Sequence, residues 1–256
     1  MALLKEMKQD LLRIRVFSTR EELGADAAAD CAKAIRKLLS EKAEINMIFA
    51  AAPSQNEFLA HLCAEKDIDW TRVNAYHMDE YIGLAKDAPQ GFGNFLARGI
   101  FDRLPFRSVN YIDITAADPD AEAERYGKLL TAHPADIVCM GIGENGHIAF
   151  NDPHVADFND PKVVKRVDLD EKCRQQQVND GCFAKLDDVP LYALSLTIPT
   201  LVRPAHIFCM VPAATKAWAV GRTVKGEIGE ACPATALRRH PDATLYADAD
   251  SGKELL

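Results

Sequence analysis

The sequence lacks an excess of basic residues, long apolar runs and paired cysteine spacings. Its 256 residues include 30 Lys and Arg against 38 Asp and Glu, which gives a net charge of −8. A chain of this charge has no general attraction for nucleic acid or for an anionic membrane surface, so neither is an expected partner. No window approaches the ~20 apolar residues that a membrane-spanning helix needs. The seven cysteines are scattered without a CxxC pair, which predicts reduced thiols in the cytosol.

Repeats, low-complexity stretches and Pro- or Gly-rich linkers are also lacking. The composition is 48% hydrophobic and 27% charged, which is ordinary for a chain that buries a core. The length allows one large domain or two small ones, and the unbroken pattern favours one domain over residues 1–256. The first sixteen residues mix charged with apolar side chains and do not resemble a signal peptide, so a cytoplasmic location is expected.

Short apolar runs alternate with helical stretches along the chain. Thr19 and Glu22 form a capping-box signature before one predicted helix, and Ser54 and Glu57 form another after Pro53. The predicted strands cover residues 14–18, 45–52, 73–78, 135–141, 192–198 and 205–211. This alternation predicts parallel strands joined by crossover helices, and hence an α/β fold with a doubly wound sheet in three layers.

The loops that leave these strands are the expected place for a ligand. In doubly wound sheets, ligands bind beyond the carboxyl ends of the strands. We therefore expect one cleft to be formed by the loops after Ala52, Met78, Gly141 and Val211.

The Gly-rich loop MGIGENGHIAFNDP carries the strongest chemical signal. Gly141 and Gly143 let the backbone approach a ligand closely, which makes them candidates for substrate binding. His147 lies near Asn145 and Asp152, so an amide or a carboxylate could orient its imidazole as a general acid or base. A Gly-rich turn whose histidine only caps the next element would have the same spacing.

Three further candidates follow predicted strands. Asp79 and Glu80, in HMDEYIGL, could supply one buried base and one orienting carboxylate at the substrate, although acidic pairs are usually solvated turns. Ser54 could hold a phosphate together with free N–H groups at a helix start, or it could serve only as a cap. Lys216 opposes the dipole of the helix that it begins unless a bound anion offsets this effect, which favours an anion-binding role.

Metal binding and a serine nucleophile are not predicted. His147, Asp152 and His154 are close in sequence, but their spacing matches no standard zinc or calcium site. The sequence has no GxSxG turn, which argues against a Ser–His–Asp system on an α/β-hydrolase elbow.

The stretches HMDEYIGL and GIGENGHIAFNDP, in this order, closely resemble those of the glucosamine-6-phosphate deaminase (isomerase) family. Weaker similarity extends over nearly the whole chain. The resemblance implies a Rossmann-like modified α/β fold, no cofactor, and conversion of an amino-sugar phosphate to fructose 6-phosphate and ammonia. A homo-oligomer with a small-molecule sugar phosphate as its ligand is also expected.

Residue roles follow from the same resemblance. Asp79 matches the family's base, which moves a proton between C2 and C1 of the opened sugar. His147 matches the histidine that assists ring opening, in a relay with the residues at 145 and 152. Lys216 matches a phosphate-binding lysine, and Ser54 falls in the family's phosphate loop.

The chain also departs from the family pattern. Asn145 stands where many members have Asp, and Asp152 stands where they commonly have Glu. The phosphate-loop pattern Thr-Gly-Gly/Ser-Thr-Pro is AAAPSQ here. VNDGCF stands where the family's phosphate-binding arginine is expected, and Arg174 or Arg222 could substitute for it. The predicted reaction type therefore rests on more matching residues than the predicted substrate does.

Two other functions are compatible with parts of this pattern. A 6-phosphogluconolactonase-like hydrolase has a related Gly-His loop, but Ser-Leu-Phe-Pro typically follows its alanine, whereas residues 150–153 are FNDP here. A non-catalytic sugar-phosphate sensor would agree with the altered phosphate loop. It would not explain why both Asp79 and His147 are retained.

We predict little or no allosteric activation by N-acetylglucosamine 6-phosphate. Activated family members place basic residues after the Asn-Glu-Pro segment and have a longer C-terminal tail. In KVVKRVDL, Lys165 matches one basic position, but Val163 occupies the arginine position, and the sequence ends at Leu256. Steady-state rates should follow a hyperbolic curve with or without this compound. A sigmoidal curve that it makes hyperbolic would contradict the prediction.

Overall fold

The short apolar segments of the sequence form strands, and the Ala-, Leu- and Lys-rich stretches between them form helices. The structure is a computed structural model that describes residues 2–256. Its strands are β1 (Leu3–Gln9), β2 (Leu12–Phe17), β3 (Ile45–Phe49), β4 (Val73–His77), β5 (Asp79–Tyr81), β6 (Ser108–Asn110), β7 (Ile137–Met140), β8 (Val164–Asp168), β9 (Tyr192–Leu196), β10 (His206–Val211) and β11 (Ala243–Asp248). Its α-helices are α1 (Arg20–Glu41), α2 (Asn56–Ala64), α3 (Phe92–Leu96), α4 (Pro119–Ala132), α5 (Glu171–Asn179), α6 (Ile198–Leu201) and α7 (Ala217–Lys225).

The large sheet has the strand order β1-β2-β11-β10-β7-β3-β4-β6. Every neighbouring pair from β2 to β6 is parallel, and only the edge strand β1 is antiparallel. The chain passes from β3 through β4 to β6 at one edge, returns to β7, and then continues through β10 to β11 in the opposite direction. This change of direction between β3 and β7 is the feature of doubly wound sheets beside which ligands bind. The predicted α/β fold is confirmed.

Helices cover both faces of the large sheet, so the fold has three layers. In β10, Phe208 and Met210 belong to the core under α1 and α2, whereas Ile207, Cys209 and Val211 belong to the core under α4 and α7. Successive side chains of a strand point to opposite faces, so a strand between two helical layers is apolar throughout. This is why the central strands appear in the sequence as continuous apolar runs.

The N-cap of the first predicted capping box is confirmed, and the second predicted box is wrong. The side chain of Thr19 accepts a hydrogen bond from the N–H group of Glu22 at 3.2 Å, at the start of α1. Ser54 lies instead in a 3₁₀ turn after β3, and α2 begins two residues later without a side-chain cap. Glu57 forms an ion pair with Arg20 at 2.7 Å. The hydroxyl of Ser54 is thereby left free of the capping role that its spacing predicted.

A smaller antiparallel sheet has the order β5-β9-β8. The prediction that residues 192–198 belong with the parallel strands is therefore wrong, because β9 pairs antiparallel with β5 and β8. An apolar run indicates that a strand is buried but does not indicate the direction of its partner. Since β5 begins at Asp79, directly after β4, the acidic pair is part of a buried strand and not of a solvated turn.

Across residues 2–256, no helix combines the length and the apolar composition required to cross a membrane. All seven cysteines are free thiols, and five of them are buried.

Candidate active site

The loops after β3, β4, β7 and β10 meet in one cleft of about 500 Å³. These strands are neighbours at the centre of the large sheet, so their carboxyl ends share one edge. The predicted convergence is confirmed. The predicted site residues on the cleft lining are Ser54, Asp79, Gly141, Gly143, His147 and Lys216. The other three, Glu80, Asn145 and Asp152, are buried beside lining residues and are not on the lining itself.

A buried carboxylate orients His147. Its Nδ1 lies 2.8 Å from Oδ1 of Asp152, and neither side chain is more than 8% exposed. Burial opposes ionisation of Asp152, but the hydrogen bond and charge of His147, together with other donors, lower the pKa of this carboxyl below its usual value. With Nδ1–H donated to Asp152, Nε2 is the imidazole atom left to exchange a proton with a ligand.

Asn145 connects this pair to a fourth residue that the sequence analysis missed. Its Nδ2 donates to Asp152 at 2.9 Å and to Asp170 at 3.2 Å, while its Oδ1 accepts from the N–H group of His147 at 3.1 Å. Asp170 is the N-cap of α5, where its side chain accepts the N–H group of Cys173. An aspartate at 145 would bring three carboxylates together, whereas the amide of Asn145 donates a hydrogen bond to each of its two acidic neighbours. The substitution therefore fits this cluster.

The imidazole of His147 packs directly against Gly143. A Cβ atom at this position would overlap Nε2 and two carbon atoms of the ring. Glycine is therefore required so that the ring can keep its place beside the cleft. On the other side, the rings of Phe92 and Phe150 stack at 5.4 Å between centroids, and Tyr81 packs against both. This aromatic cluster gives the reacting end of the cleft a rigid apolar wall.

The two members of the acidic pair have different environments. Asp79 is 6% exposed and faces the cleft, and burial together with the charge of Glu80 raises its pKa well above the usual value. Glu80 accepts three backbone hydrogen bonds of 2.8–3.0 Å, from Tyr81, Phe92 and Gly93. Burial raises the pKa of Glu80 as well, and these N–H groups oppose that effect. Asp79 thus lies on the cleft lining without such donors, and Glu80 joins the start of α3 to β5.

Lys216 extends a charge into the cleft from the end of a 3₁₀ turn after β10. The residue is 5% exposed, and its Nζ is buried without a hydrogen-bond partner among the described residues. Burial lowers its pKa, while the charges of Asp180 and Glu144 oppose that shift. A buried ammonium without a partner is costly unless a ligand supplies one. The turn begins at Ala213, whose φ of +88° is rare outside glycine and is consistent with a functional constraint.

Helix α5 contributes lining residues that the sequence analysis missed. Gln176, Gln177 and Asp180 all face the cleft. Their segment, EKCRQQQVND, is polar with little helical periodicity, so nothing in the sequence distinguished it from a solvated helix. The hypothesis that Arg174 or Arg222 supplies a phosphate-binding cation is not supported. Neither lies on the cleft lining, and the guanidinium of Arg174 donates to the backbone carbonyls of Leu186 and Val189, in the segment that follows α5.

Two groups of side chains could hold a metal ion. His147, Asp152 and Cys173 offer ligand atoms within 4.8 Å of one another, and so do Asp152, His154 and Asp170. In the first group the imidazole and the carboxylate already form a hydrogen bond with each other, and one of the two carboxylates of the second group is the same Asp152.

The packing of His147 on Gly143 generates a prediction. Gly143→Ala should displace the imidazole and lower turnover of an amino-sugar phosphate by about 10²-fold or more, the typical contribution of one acid–base group. The matched control is Gly229→Ala, where a Cβ atom meets nothing within 4 Å. Ammonia release and thermal unfolding are measured for both variants. Full activity of the Gly143 variant would show that the ring position is irrelevant to turnover.

The chain resembles known proteins over most of its length. Residues 18–246 match the family described as glucosamine-6-phosphate isomerases/6-phosphogluconolactonase. A glucosamine-6-phosphate deaminase of Bacillus cereus (strain B4264) is 34% identical over 240 residues, which cover 94% of this chain and 88% of the relative. One from Streptococcus sanguinis (strain SK36) is 35% identical over 202 residues, covering 79% and 83%.

Solved structures show the same likeness. A monomeric glucosamine-6-phosphate deaminase superimposes with a TM-score of 0.85 at 28% identity, over 96% of this chain and 99% of that one. A 6-phosphogluconolactonase from Trypanosoma brucei shares the fold, with a TM-score of 0.77 at 18% identity over 98% and 100% of the two chains. The chain therefore belongs to the glucosamine-6-phosphate isomerase/6-phosphogluconolactonase family.

Proposed function

We propose that this chain converts an amino-sugar phosphate of the glucosamine 6-phosphate type to fructose 6-phosphate and ammonia. The observation that carries the proposal is that Asp79, His147 and Lys216 line one cleft. The carboxylate of Asp79 is buried, the imidazole of His147 is paired with Asp152, and the ammonium of Lys216 has no hydrogen-bond partner within residues 2–256. A base, an acid–base relay and a cation are the three groups that isomerisation of a charged sugar requires.

In the proposed reaction, His147 first assists opening of the sugar ring, which exposes an aldehyde at C1. Asp79 then removes the proton at C2 while the oxygen at C1 gains a proton, which gives an enolamine. Asp79 returns its proton to C1 as the nitrogen loses one, so C1 becomes an alcohol and the amine at C2 becomes an imine. Addition of water to this imine releases ammonia and leaves the ketone. Burial raises the pKa of Asp79, so its carboxylate is a stronger base than a solvated one. A stronger base is better suited to remove the weakly acidic proton from a carbon next to a carbonyl.

The hydrolase alternative uses fewer of the observed groups. Hydrolysis of a lactone needs an activated water but no proton transfer between two carbons, so it leaves Asp79 without a purpose. The lactonases among the solved structures share the fold at 13–18% identity, whereas the two relatives above 30% identity named above are described as deaminases. A sensor without activity would need neither the raised pKa of Asp79 nor the oriented imidazole.

The direct test is ammonia release from a panel of hexosamine 6-phosphates. Release from at least one of them, together with formation of the ketose phosphate, supports the proposal. If none of them releases ammonia, the deaminase proposal is wrong, and the lactonase or the sensor becomes the better hypothesis.

A homo-oligomer and a cytosolic location stay predictions from the sequence. One solved relative is described as monomeric, and light scattering of the purified chain decides between the two states.

Lys216→Ala should weaken substrate binding much more than it affects folding. Loss of a charge-assisted contact costs roughly 1.5–3 kcal/mol, or about tenfold to over a hundredfold in affinity. Removal of a buried, unpartnered charge should leave the melting temperature unchanged or raise it. The matched control is Lys172→Ala, an exposed lysine on α5. If the Lys216 variant has an unchanged KM and an unchanged melting temperature, Lys216 does not bind the substrate.

Asp79→Asn should lower kcat by about 10²–10⁴-fold, because the amide keeps the size of the side chain but cannot accept the C2 proton. KM should change little if hydroxyl and phosphate contacts dominate binding. Exchange of the C2 hydrogen with deuterated solvent should fall together with ammonia release.

Glu80→Gln is the companion variant. It should retain more activity but unfold at a lower temperature, since its amide group would face backbone N–H donors that now meet a carboxylate. If the Asp79 variant keeps near wild-type turnover and the Glu80 variant is inactive, Glu80 is the base. If both variants stay active, neither carboxylate transfers the proton.

A further inference from the structure

A buried histidine contacts the backbone of Asp79. His77 is the last residue of β4, two residues before Asp79, and its side chain is fully buried. Its Nδ1 lies 3.0 Å from the backbone carbonyl oxygen of Asp79, and its Nε2 lies 2.9 Å from the backbone nitrogen of Ile112. His77 is not on the cleft lining, so it does not exchange a proton with the substrate itself.

The two contacts of His77 determine which ring nitrogen carries the proton. The N–H group of Ile112 can only donate, so Nε2 is the acceptor. The carbonyl of Asp79 can only accept, so Nδ1 carries the hydrogen. Burial lowers the pKa of His77 to about 4, which keeps the ring neutral. The imidazole therefore has one fixed tautomer, and both of its nitrogens are used.

The carbonyl of Asp79 needs this donor because β5 is an edge strand of the small sheet. The carbonyl of Met78 accepts a hydrogen bond from the N–H group of Leu196, on β9. The N–H group of Ile82 donates one to the carbonyl of Tyr192, also on β9. Backbone groups of alternate residues face the partner in an antiparallel pair, so those of Asp79 face away from β9. No strand within residues 2–256 pairs with β5 on that side.

Tyr126 of α4 in turn holds the backbone of His77. Its hydroxyl accepts a hydrogen bond from the N–H group of His77 at 3.0 Å. Its own proton can go to the carbonyl of His77, 3.1 Å away, or to that of Asn110, 3.0 Å away. On this side of β4, β6 ends at Asn110, opposite Tyr76, so the hydroxyl takes over where the ladder ends. Tyr126 thus fixes the residue that contacts Asp79.

We propose, on the basis of the proposed reaction, that His77 is a positioning residue for the base. Its Nδ1–H group holds the backbone of Asp79 so that the carboxylate keeps its place on the cleft lining. Without this hydrogen bond the carbonyl would be buried and unpaired, and the edge strand would move until water reached it. A displacement of about 1 Å in a reacting group can lower the rate by about 10²-fold. Substrate binding through other groups is not affected.

Two variants of His77 separate this role from a merely structural one. In His77→Asn, Nδ2 takes the position of Nδ1 and still donates to Asp79, but no atom reaches Ile112. In His77→Gln, Oε1 takes the position of Nε2 and still accepts from Ile112, but the donor to Asp79 is lost. Each variant leaves one buried backbone group unpaired, so both should melt at a lower temperature by a similar amount.

His240 provides a matched control away from the cleft. It is also buried and joins two backbone groups, with Nε2 2.7 Å from the carbonyl oxygen of Pro204 and Nδ1 accepting from the N–H group of Asp242 at 3.1 Å. It lies before β11, at the amino ends of the strands, and is not on the cleft lining. His240→Gln should lower the melting temperature and leave kcat unchanged.

Steady-state ammonia release is measured at a temperature where all of these proteins are folded. We expect kcat to fall by about tenfold or more in His77→Gln, with little change in KM, because the base is misplaced while binding is kept. In His77→Asn, kcat should stay near the wild-type value despite the lower melting temperature. An equal loss of kcat in both variants, or near wild-type kcat in His77→Gln, would overturn the proposal.

An NMR titration of the side-chain carboxyl carbon of Asp79 tests the same proposal without the reaction. The signal is assigned by its absence in Asp79→Asn. Burial and the charge of Glu80 raise the pKa of this carboxyl. It should stay raised in His77→Asn and move toward its ordinary value in His77→Gln, where a displaced β5 admits water.

The titration distinguishes failure of this proposal from failure of the proposed function. If the pKa of Asp79 moves only in His77→Gln and the wild type releases no ammonia, the role of His77 is retained and the deamination is rejected. If Asp79 titrates identically in the wild type and in both His77 variants, the role of His77 is rejected whatever the activity.

Discussion

The parallel pairing of β10, β7, β3 and β4 is the constraint on which the rest of the structure depends. Parallel strands direct their carboxyl ends to one edge, and the reversal of strand order between β3 and β7 opens a space there. Four loops from distant parts of the sequence therefore meet in one cleft. Helices on both faces make this edge rigid, so the side chains that the loops contribute are held at fixed positions.

Burial turns this collection of side chains into a site with distinct chemical roles. Two carboxyl groups of the site have different surroundings. Asp79, on the cleft lining, is buried beside another acid, and Asp152, behind the lining, is hydrogen-bonded to the imidazole of His147. The first has a raised pKa and the second a lowered one. Opposite shifts in neighbouring acids are the usual basis for assigning one as the base and the other as a permanent anion.

The chain departs from the family pattern at two parts of the site. Beside His147, the amide of Asn145 donates hydrogen bonds to the carboxylates of Asp152 and Asp170, so these two acids share one neutral donor. In the turn after β3, the sequence is AAAPSQ, and the hydroxyl of Ser54 lies on the cleft lining.

The sequence by itself determined the parallel α/β class, the convergence of four loops, and the candidate residues Asp79, His147 and Lys216. These follow from local rules, since apolar runs mark buried strands and strand ends mark ligand positions. The antiparallel partner of β9 and the true start of α2 were decided by tertiary structure, because apolar composition does not record which backbone supplies the hydrogen bonds. The positions of Asp170 and Asp180 could not be predicted either, because both flank a polar helix with little periodicity. The packing of α5 beside the cleft brings Asp170 to Asn145 and Asp180 to the cleft lining, and the charges and donors around a carboxylate set its properties.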